Sequence, residues 1–492
     1  MKNIVVIILI AWSISSCSDW LDVQPKTAIP ADKLFETESG FKDALTGFYL
    51  KMTDIGLYGK ELSYGYIEAL ACNYDGYPEF GGLSWKPRIY EYDNLFLSKK
   101  DGIYLKMYNI IVNINNFLGY LEKNRSVIKT EHYYEVMKAE ALGLRAFLHF
   151  DLLRLFGPVY KVNPAAKAIS YRTTFDRQAT PALPANQVVD LLLKDLQTAD
   201  SLLEKHDTRF FWKSYEREDE PGYELFLDQR QTRMNVYAVK AMLARVYCYK
   251  GDDESKVKAV EYANEVIEAP YFELYKNARS FLYNEQIFGL NIYEFDKIVT
   301  EHFNTAIDYT SAEQHFNILQ SRFQKIYEWG EGGNSDWRSQ SQCFKDKNEG
   351  GGYKYCRKYE QDGLTDYNGK DMLALIRLPE MYYIVAECAD AATSAEALNT
   401  VRWARGISYD DEIIAGAHYD RLDTRPEYDN SQTYRVNEIM KEYRKEFYAE
   451  GKLFYFYKLH NYVTYEGAPL KDVRDKYRWP LPDDEIIFGN ND

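Results

Sequence analysis

Histidine is scarce in this sequence, and the short motifs of common enzyme classes are missing. The 492 residues include seven histidines, and none of them belongs to a His-Glu-x-x-His metalloprotease motif. A Gly-x-Ser-x-Gly nucleophile elbow and a Gly-Lys-Ser/Thr phosphate loop are also absent. Adjacent carboxylates such as Asp410 and Asp411 seldom act as a glycosidase pair, because the two carboxylates of that reaction flank one bond. The sequence therefore predicts a protein that is not an enzyme.

An excess of positive charge is missing as well. Lysine and arginine together number 60 against 75 aspartates and glutamates, which gives a net charge of −15. Nucleic-acid binding needs clustered lysines and arginines that displace counterions from phosphates, so we exclude nucleic acid as a partner. Beyond the N-terminus no apolar run approaches the length that spans a bilayer, so no later segment is expected to cross a membrane.

Cysteine is sparse and is not arranged for metal binding. The six cysteines form no CxxC pair and no Cys/His cluster with zinc spacing. No D-x-[DN]-x-[DN]-G calcium loop is present, and calcium in the acidic stretches 75–79 and 410–412 stays unassigned. We therefore predict no cofactor and assign no metal. Cys343 and Cys356 flank a glycine-rich stretch and could form a disulfide in an oxidising compartment, although sequence alone does not establish that bond.

The N-terminus has the organisation of a secretory signal. A short basic start, Met1 to Asn3, precedes an apolar run from Ile4 to Trp12, and small residues lead to Cys17. This order is typical of a signal peptide that ends in a lipobox. We expect residues 1–16 to be removed and Cys17 to be acylated, since two acyl chains suffice for a stable anchor. Ser18 and Asp19 resemble the surface-export signal of outer-membrane lipoproteins.

Apolar residues at spacings of three and four predict four pairs of helices. In the first pair, one helix is predicted from Glu131 to Phe156, ending at Gly157-Pro158, and the second helix is predicted around Val189 to Leu203. The other three pairs are predicted at 233–250 with 256–268, at 379–391 with 395–405, and at 434–450 with 453–457. One helix pair cannot cover its own apolar faces, so the pattern favours a tetratricopeptide-like array.

Long segments separate these pairs, so a solenoid with a fixed period does not fit. The segments 157–186, 205–232 and above all 270–378 are rich in Tyr, Trp, Gly and Asn, as is the stretch from Tyr64 to Phe96. Such residues are typical of binding loops carried on a rigid scaffold. The fold class we predict is mostly α, with a loop-rich half that binds ligand.

The order of several short segments resembles the SusD/RagB family of outer-membrane nutrient-binding lipoproteins. The segments that carry this resemblance are Cys17 to Asp22, Ala44 to Tyr49, Ala139 to Phe147 with Leu155 to Gly157, Ala241 to Tyr247, Ile376 to Glu380, Leu398 to Arg402, Tyr443 to Phe447 and Trp479 to Pro482. The resemblance implies a single SusD-like domain over 17–492, with an N-terminal part of about 18–232 and a C-terminal part of about 233–492. It implies binding without catalysis.

The resemblance also implies a location and partners. A protein of this family would be lipid-anchored at the outer face of the cell outer membrane. It would sit as a lid on a SusC-like TonB-dependent transporter, capture oligosaccharide and pass it to the channel. Two alternatives remain open: a peptide in place of the sugar in the same kind of uptake complex, or an interaction scaffold that binds no ligand.

The ligand-binding positions are predicted from chemistry, because sugars are held by aromatic faces flanked by polar groups. The chain contains 44 tyrosines and eight tryptophans, although most tyrosines are expected to fill gaps between helices. Two segments combine glycines with aromatic and polar residues. The residues predicted to bind ligand are Asn73, Asp75, Tyr77 and Trp85 in the first segment, and Trp329, Asp336, Trp337 and Arg338 in the second.

Overall fold

The computed structural model describes residues 30–75, 90, 94–207, 225–227, 229–276, 281–303, 316–346, 352–364 and 369–489. Cys17 with the predicted signal peptide lies outside these residues, as do Tyr77 and Trp85. Within the described ranges, none of the helices is both long and apolar enough to traverse a lipid bilayer.

Helices make up most of the described structure. They are α1 (Ala31–Leu34), α2 (Glu38–Met52), α3 (Tyr66–Leu70), α4 (Asn94–Lys123), α5 (Tyr133–Phe156), α6 (Ala185–His206), α7 (Val236–Lys250), α8 (Asp253–Ile267), α9 (Phe281–Asn284), α10 (Phe295–His302), α11 (Gln320–Ile326), α12 (Leu378–Cys388), α13 (Ala391–Ala404), α14 (Tyr434–Glu446), α15 (Leu453–His460) and α16 (Asp483–Phe488).

Short strands pair in three small antiparallel groups. They are β1 (Lys167–Ile169), β2 (Leu183–Pro184), β3 (Gln286–Asn291), β4 (Asn317–Leu319), β5 (Phe344–Asp346), β6 (Tyr353–Cys356) and β7 (Met372–Arg377). Strand β1 pairs with β2, β3 with β7, and β6 lies between β4 and β5. In the β3–β7 ribbon Gln286 is opposite Arg377 and Asn291 is opposite Met372. The segment 292–371 therefore begins and ends at the same end of this ribbon.

The four predicted helix pairs are present as α5/α6, α7/α8, α12/α13 and α14/α15, and successive pairs pack on one another. Helix α6 has the narrow apolar seam that its sequence predicts, since Val189, Leu192, Leu196 and Leu203 are all buried. Capping residues fix where the helices begin. The Asn235 side chain accepts a hydrogen bond from the Ala238 N–H at the start of α7, as N-cap residues do.

The N-terminal part of the chain differs from the expectation. The stretch from Tyr64 to Phe96 was predicted to have the character of a binding loop, yet its described aromatic side chains are buried in the core: Tyr64, Tyr66, Tyr74, Tyr90 and Phe96. Helices α2 and α4 were not predicted. Both contact the first helix pair through α5, so the array continues N-terminally by two further helices that bury apolar surface against it.

A fully buried set of ion pairs joins the loop-rich half to the last helices. We call it the ion cluster; its members are Glu285, Asp336, Arg338, Lys358, Arg377, Arg402, Arg405, Glu442, Lys445, Glu446 and Glu450. Glu446 at the end of α14 lies at its centre and accepts hydrogen bonds from Arg338, Arg377 and Arg405 over 2.9–3.1 Å. Charges with this little exposure are tolerated only when they are paired and hydrogen-bonded.

Candidate functional site

The structure brings the first residues of both predicted binding segments into one region of the molecule, beside strand β4 and helix α11. The Asp75 N–H donates to the carbonyl of Asn317 (2.8 Å), and the Leu319 N–H donates to the Asp75 carboxylate (2.9 Å). Residue 75 is therefore held against β4, immediately before α11. The turn after α11 carries Trp329, the first aromatic residue predicted as a platform in the second segment.

Arg322 of α11 clamps the first segment in place. Its guanidinium donates to the Asp75 carboxylate at 3.1 Å and to the carbonyls of Cys72, Asn73 and Tyr74. A guanidinium can donate five hydrogen bonds in a fixed plane, which suits one side chain to binding several carbonyls. Sequence reasoning did not single out Arg322, because its partners lie about 250 positions away and no local motif connects them.

Asn73 and Asp75 have no polar atoms left for a ligand. The Asn73 amide donates to Glu68 (2.6 Å) and accepts from the Arg444 guanidinium (3.0 Å), and both side chains are buried. Burial raises the pKa of Glu68 to about 7, against the opposing effect of hydrogen bonds from Asn73 and two backbone N–H groups. The structure thus gives these two residues a positioning role, which differs from the predicted contact with ligand.

Trp329 is the predicted aromatic platform that the structure leaves open to solvent. The residue is 38% exposed, and its ring makes a T-shaped contact with Phe323 at 5.7 Å between centroids. The turn that carries it needs glycine: Gly330 and Gly332 have φ near +90°. A Cβ at Gly333 would lie 1.7 Å from the Tyr327 carbonyl oxygen. The indole is thus supported from one side by a tightly built turn.

Asp336, Trp337 and Arg338 lie in the interior, which corrects the expectation that they contact ligand. The Trp337 indole N–H donates to the Ala404 carbonyl at 3.0 Å, and the ring is buried. Arg338 belongs to the ion cluster, where it donates to Asp336 and Glu442 at 2.7 and 2.8 Å. The charged side chains predicted to bind sugar hydroxyls, Asp336 and Arg338, instead form an ion pair with each other inside the protein.

Cys356 lies at the end of β6 and Cys343 immediately precedes the neighbouring strand β5, but both are free thiols. Both are buried, and burial raises the pKa of each thiol to about 12. Among the described residues, no cluster of three or more histidine, cysteine, aspartate or glutamate side chains is arranged to hold a metal ion. The described residues therefore offer polar and aromatic contacts but no assigned metal ligands.

A small polar cleft lies between α11, α14 and the chain after α15. It encloses about 70 Å³, which accommodates a few water molecules but not a sugar ring. Its lining residues include Glu328, Lys441, Arg444 and Glu466. Burial alone would raise the pKa of Glu328, but Lys445 and Lys441 lower it to about 2.

Two family profiles match consecutive parts of the chain. A profile described as "Starch-binding associating with outer membrane" matches residues 19–212, and a profile described as "SusD family" matches residues 212–458. Among curated proteins, SusD-like protein P2 of Formosa agariphila is 25% identical over 214 residues. That alignment covers 42% of this chain and 39% of the relative, so the chain spans well under half the length of that relative.

Solved structures match over most of the chain. A SusD superfamily protein of Bacteroides thetaiotaomicron is 21% identical, with a TM-score of 0.66 over 93% of this chain and 99% of its own. A SusD-like carbohydrate binding protein of Bacteroides vulgatus is 15% identical, with a TM-score of 0.63 over 92% and 97%. B. fragilis NanU is 16% identical, with a TM-score of 0.64 over 94% of this chain and 97% of its own. At these identities the similarity establishes the fold.

Proposed function

Because this chain belongs to the SusD/RagB family, whose members bind ligands without catalysing a reaction, we propose that it captures oligosaccharide at the cell surface. In this proposal it then delivers the sugar to a SusC-like TonB-dependent transporter. The family description, which combines starch binding with the outer membrane, supports both the ligand class and the location. Acylation of Cys17 would supply the anchor, because two acyl chains hold a protein stably on a membrane.

The exposed indole of Trp329 is the observation that carries the proposal. The indole is partly exposed and its ring packs in a T-shaped arrangement with Phe323, and we propose that its exposed part contacts the apolar face of a sugar ring. We propose that Tyr77 and Trp85 complete the surface, with Asn73 and Asp75 positioning the segment.

The test is calorimetric titration of a soluble form lacking residues 1–17 with a panel of neutral oligosaccharides and peptides. We expect Trp329→Ala and Trp85→Ala each to weaken binding of the active glycan by about two- to tenfold, since stacking contributes roughly 0.5–1.5 kcal/mol. The control is Tyr293→Ala, because Tyr293 is an exposed aromatic residue on the turn after β3.

Three outcomes would contradict the proposal in different ways. Binding of peptides in place of glycans would assign the alternative ligand. Absence of binding to the whole panel would favour an interaction scaffold. Glycan binding that is unchanged in both tryptophan variants would move the site to another surface.

A further inference from the structure

A second concave surface lies on the side of the molecule formed by helix α4 and the loop after Tyr171. It encloses about 530 Å³, within the range of small-molecule sites. We call it the α4 groove. Its lining residues are Asn115, Asn116, Leu118, Gly119, Tyr120, Glu122, Lys123, Thr173, Thr174 and Phe175. None of these residues belongs to the region around Trp329.

The loop wall of the groove is rigidly held. The Asn115 amide donates to the carbonyls of Arg172 (3.1 Å) and Thr174 (3.4 Å), and it accepts from the Arg145 guanidinium at 2.9 Å. The Arg172 guanidinium in turn donates to Asp176 and Thr180 at 2.9 Å. Phe175 is therefore presented on a braced loop, where its ring is 59% exposed. A loop backbone held in this way loses little conformational entropy when a ligand binds.

The helix wall is open because of one glycine. A Cβ added at Gly119 would meet no atom within 4 Å, so nothing in the described structure packs into that space. Glycine in a helix interior costs about 1 kcal/mol relative to alanine, and no contact within the protein compensates for it here. The missing side chain leaves the helix backbone accessible at the floor of the groove.

The polar groups of the groove suit an uncharged ligand. Asn116 and Thr173 have no hydrogen-bond partner among the residues that the structure describes, so an amide and a hydroxyl are available. The two charged lining residues are of opposite sign: Glu122 pairs with Lys138, and the Lys123 ammonium lies 5.5 Å from the ring centroid of Tyr120. Amide, hydroxyl and aromatic groups without net charge bind hydroxyls and apolar ring faces together.

We propose that the α4 groove is a second oligosaccharide-binding site, which takes a neutral sugar with its ring against Phe175 and its hydroxyls on Asn116 and Thr173. The ligand class rests on the proposed function, whereas the site does not depend on Trp329. A protein with two separate sites for one chain of sugars gains avidity, since the second contact forms at the effective concentration set by the glycan between them.

The test uses the soluble form lacking residues 1–17, titrated with malto-, xylo-, cello- and mannooligosaccharides. Gly119→Leu fills the floor of the groove without disturbing a packed neighbour, and leucine favours the helix over glycine. Gly102→Leu is the matched control, because Gly102 lies on the same helix, also has open space around its Cβ position, and is not among the lining residues.

We expect two binding events for a glycan that binds. Gly119→Leu weakens one of them by at least about tenfold with no loss of thermal stability, Gly102→Leu weakens neither, and Trp329→Ala weakens the other. Unchanged titrations for Gly119→Leu overturn the groove proposal while leaving the proposed function intact. Binding of peptides but not glycans, reduced by Gly119→Leu, overturns the ligand class of both proposals.

Discussion

His149 lies inside the molecule with both ring nitrogens bonded. Its Nδ1 is 2.9 Å from the Arg145 carbonyl, and its Nε2 is 3.0 Å from the Arg172 N–H. Because that N–H must donate, Nε2 accepts and Nδ1 carries the proton, so the ring is neutral. The ring also stacks on Tyr171 at 4.0 Å. Burial, with a smaller effect from the positive charge of Arg145, lowers the pKa of His149 to about 3.

This lowered pKa makes stability depend on pH in a defined direction. The unfolded chain takes up a proton near pH 6.5, whereas the folded protein does so only near pH 3, so stability is lost as the pH falls between these values. From pH 7 to pH 5 we expect the wild type to lose about 2 kcal/mol more than His149→Gln. Urea unfolding at the two pH values measures the difference.

The control for this prediction is His418→Gln, because His418 is exposed. It should lose as much stability as the wild type over the same pH interval. An equal loss for His149→Gln and the wild type would contradict the assignment of His149 as the group responsible.

At the same scale, residue chemistry predicted one exposed aromatic side chain correctly but misjudged the polar residues near it. Trp329 is exposed as expected, but the polar residues predicted beside it, such as Asp75 and Arg338, are paired inside the protein. The same local sequence pattern, with Asn, Asp and Arg near glycines, occurs in binding loops and in buried ion networks. Their partners, Arg322 and Glu442, come from segments remote in sequence, so no local pattern separates the two cases.

The helices show how caps and apolar spacing combine to set the array. Predicted helix ends at Gly157 and Gly251 are within a residue of those observed, because glycine and proline end helices for local reasons. Helix α4 was not predicted although Ile103, Met107 and Ile114 recur at helical spacing and are buried. That pattern was available in the sequence, whereas the strand pairing β3–β7 joins segments about 80 residues apart and had no local signal.

Asn235 tests how strongly one cap holds a helix in this array. Besides capping α7, its amide donates to the carbonyls of Arg230, Arg233 and Ile287, which ties the helix to strand β3. Asn235→Ala should lower the free energy of unfolding by about 3 kcal/mol, since it removes a cap and leaves buried carbonyls unpaired. Urea unfolding curves with unchanged slope would measure this loss.

Thr433→Ala provides the comparison, because Thr433 caps α14 through a single hydrogen bond to the Val436 N–H. Its loss should be about 1 kcal/mol. Equal losses for the two variants would show that the bonds of Asn235 to β3 contribute nothing beyond the cap.

In the whole molecule, the ion cluster holds together parts that are far apart in the chain. The single side chain of Glu446 makes three of these connections. It links α14 to strand β7 through Arg377, to the end of α13 through Arg405 and to the loop after α11 through Arg338. These arginines hold the pKa of Glu446 well below its usual range, although burial by itself would raise it. Removing the Glu446 charge takes one anionic partner from each of three buried arginines, which leaves buried positive charge incompletely compensated.

We therefore expect Glu446→Gln to destabilise the protein by about 3–5 kcal/mol, seen as a lower urea midpoint with one cooperative transition. The matched control is Glu261→Gln, which removes one side of the exposed pair with Lys258; surface pairs contribute little, so its midpoint should not move. A Glu446→Gln midpoint equal to that of the wild type would show that the cluster is not needed for stability.

The β3–β7 ribbon determines where a segment of this fold can be exchanged between relatives to build a chimaera. Residues 292–371 enter and leave through adjacent strands, so an exchange of that segment between relatives needs only two splice points. The ribbon alone does not make the exchange safe, because Arg338 and Lys358 inside the segment pair with Glu442 and Glu446 of α14 and with Glu450 in the turn that follows it. A donor segment must bring its own two cations to these positions, or the recipient must lose matching carboxylates.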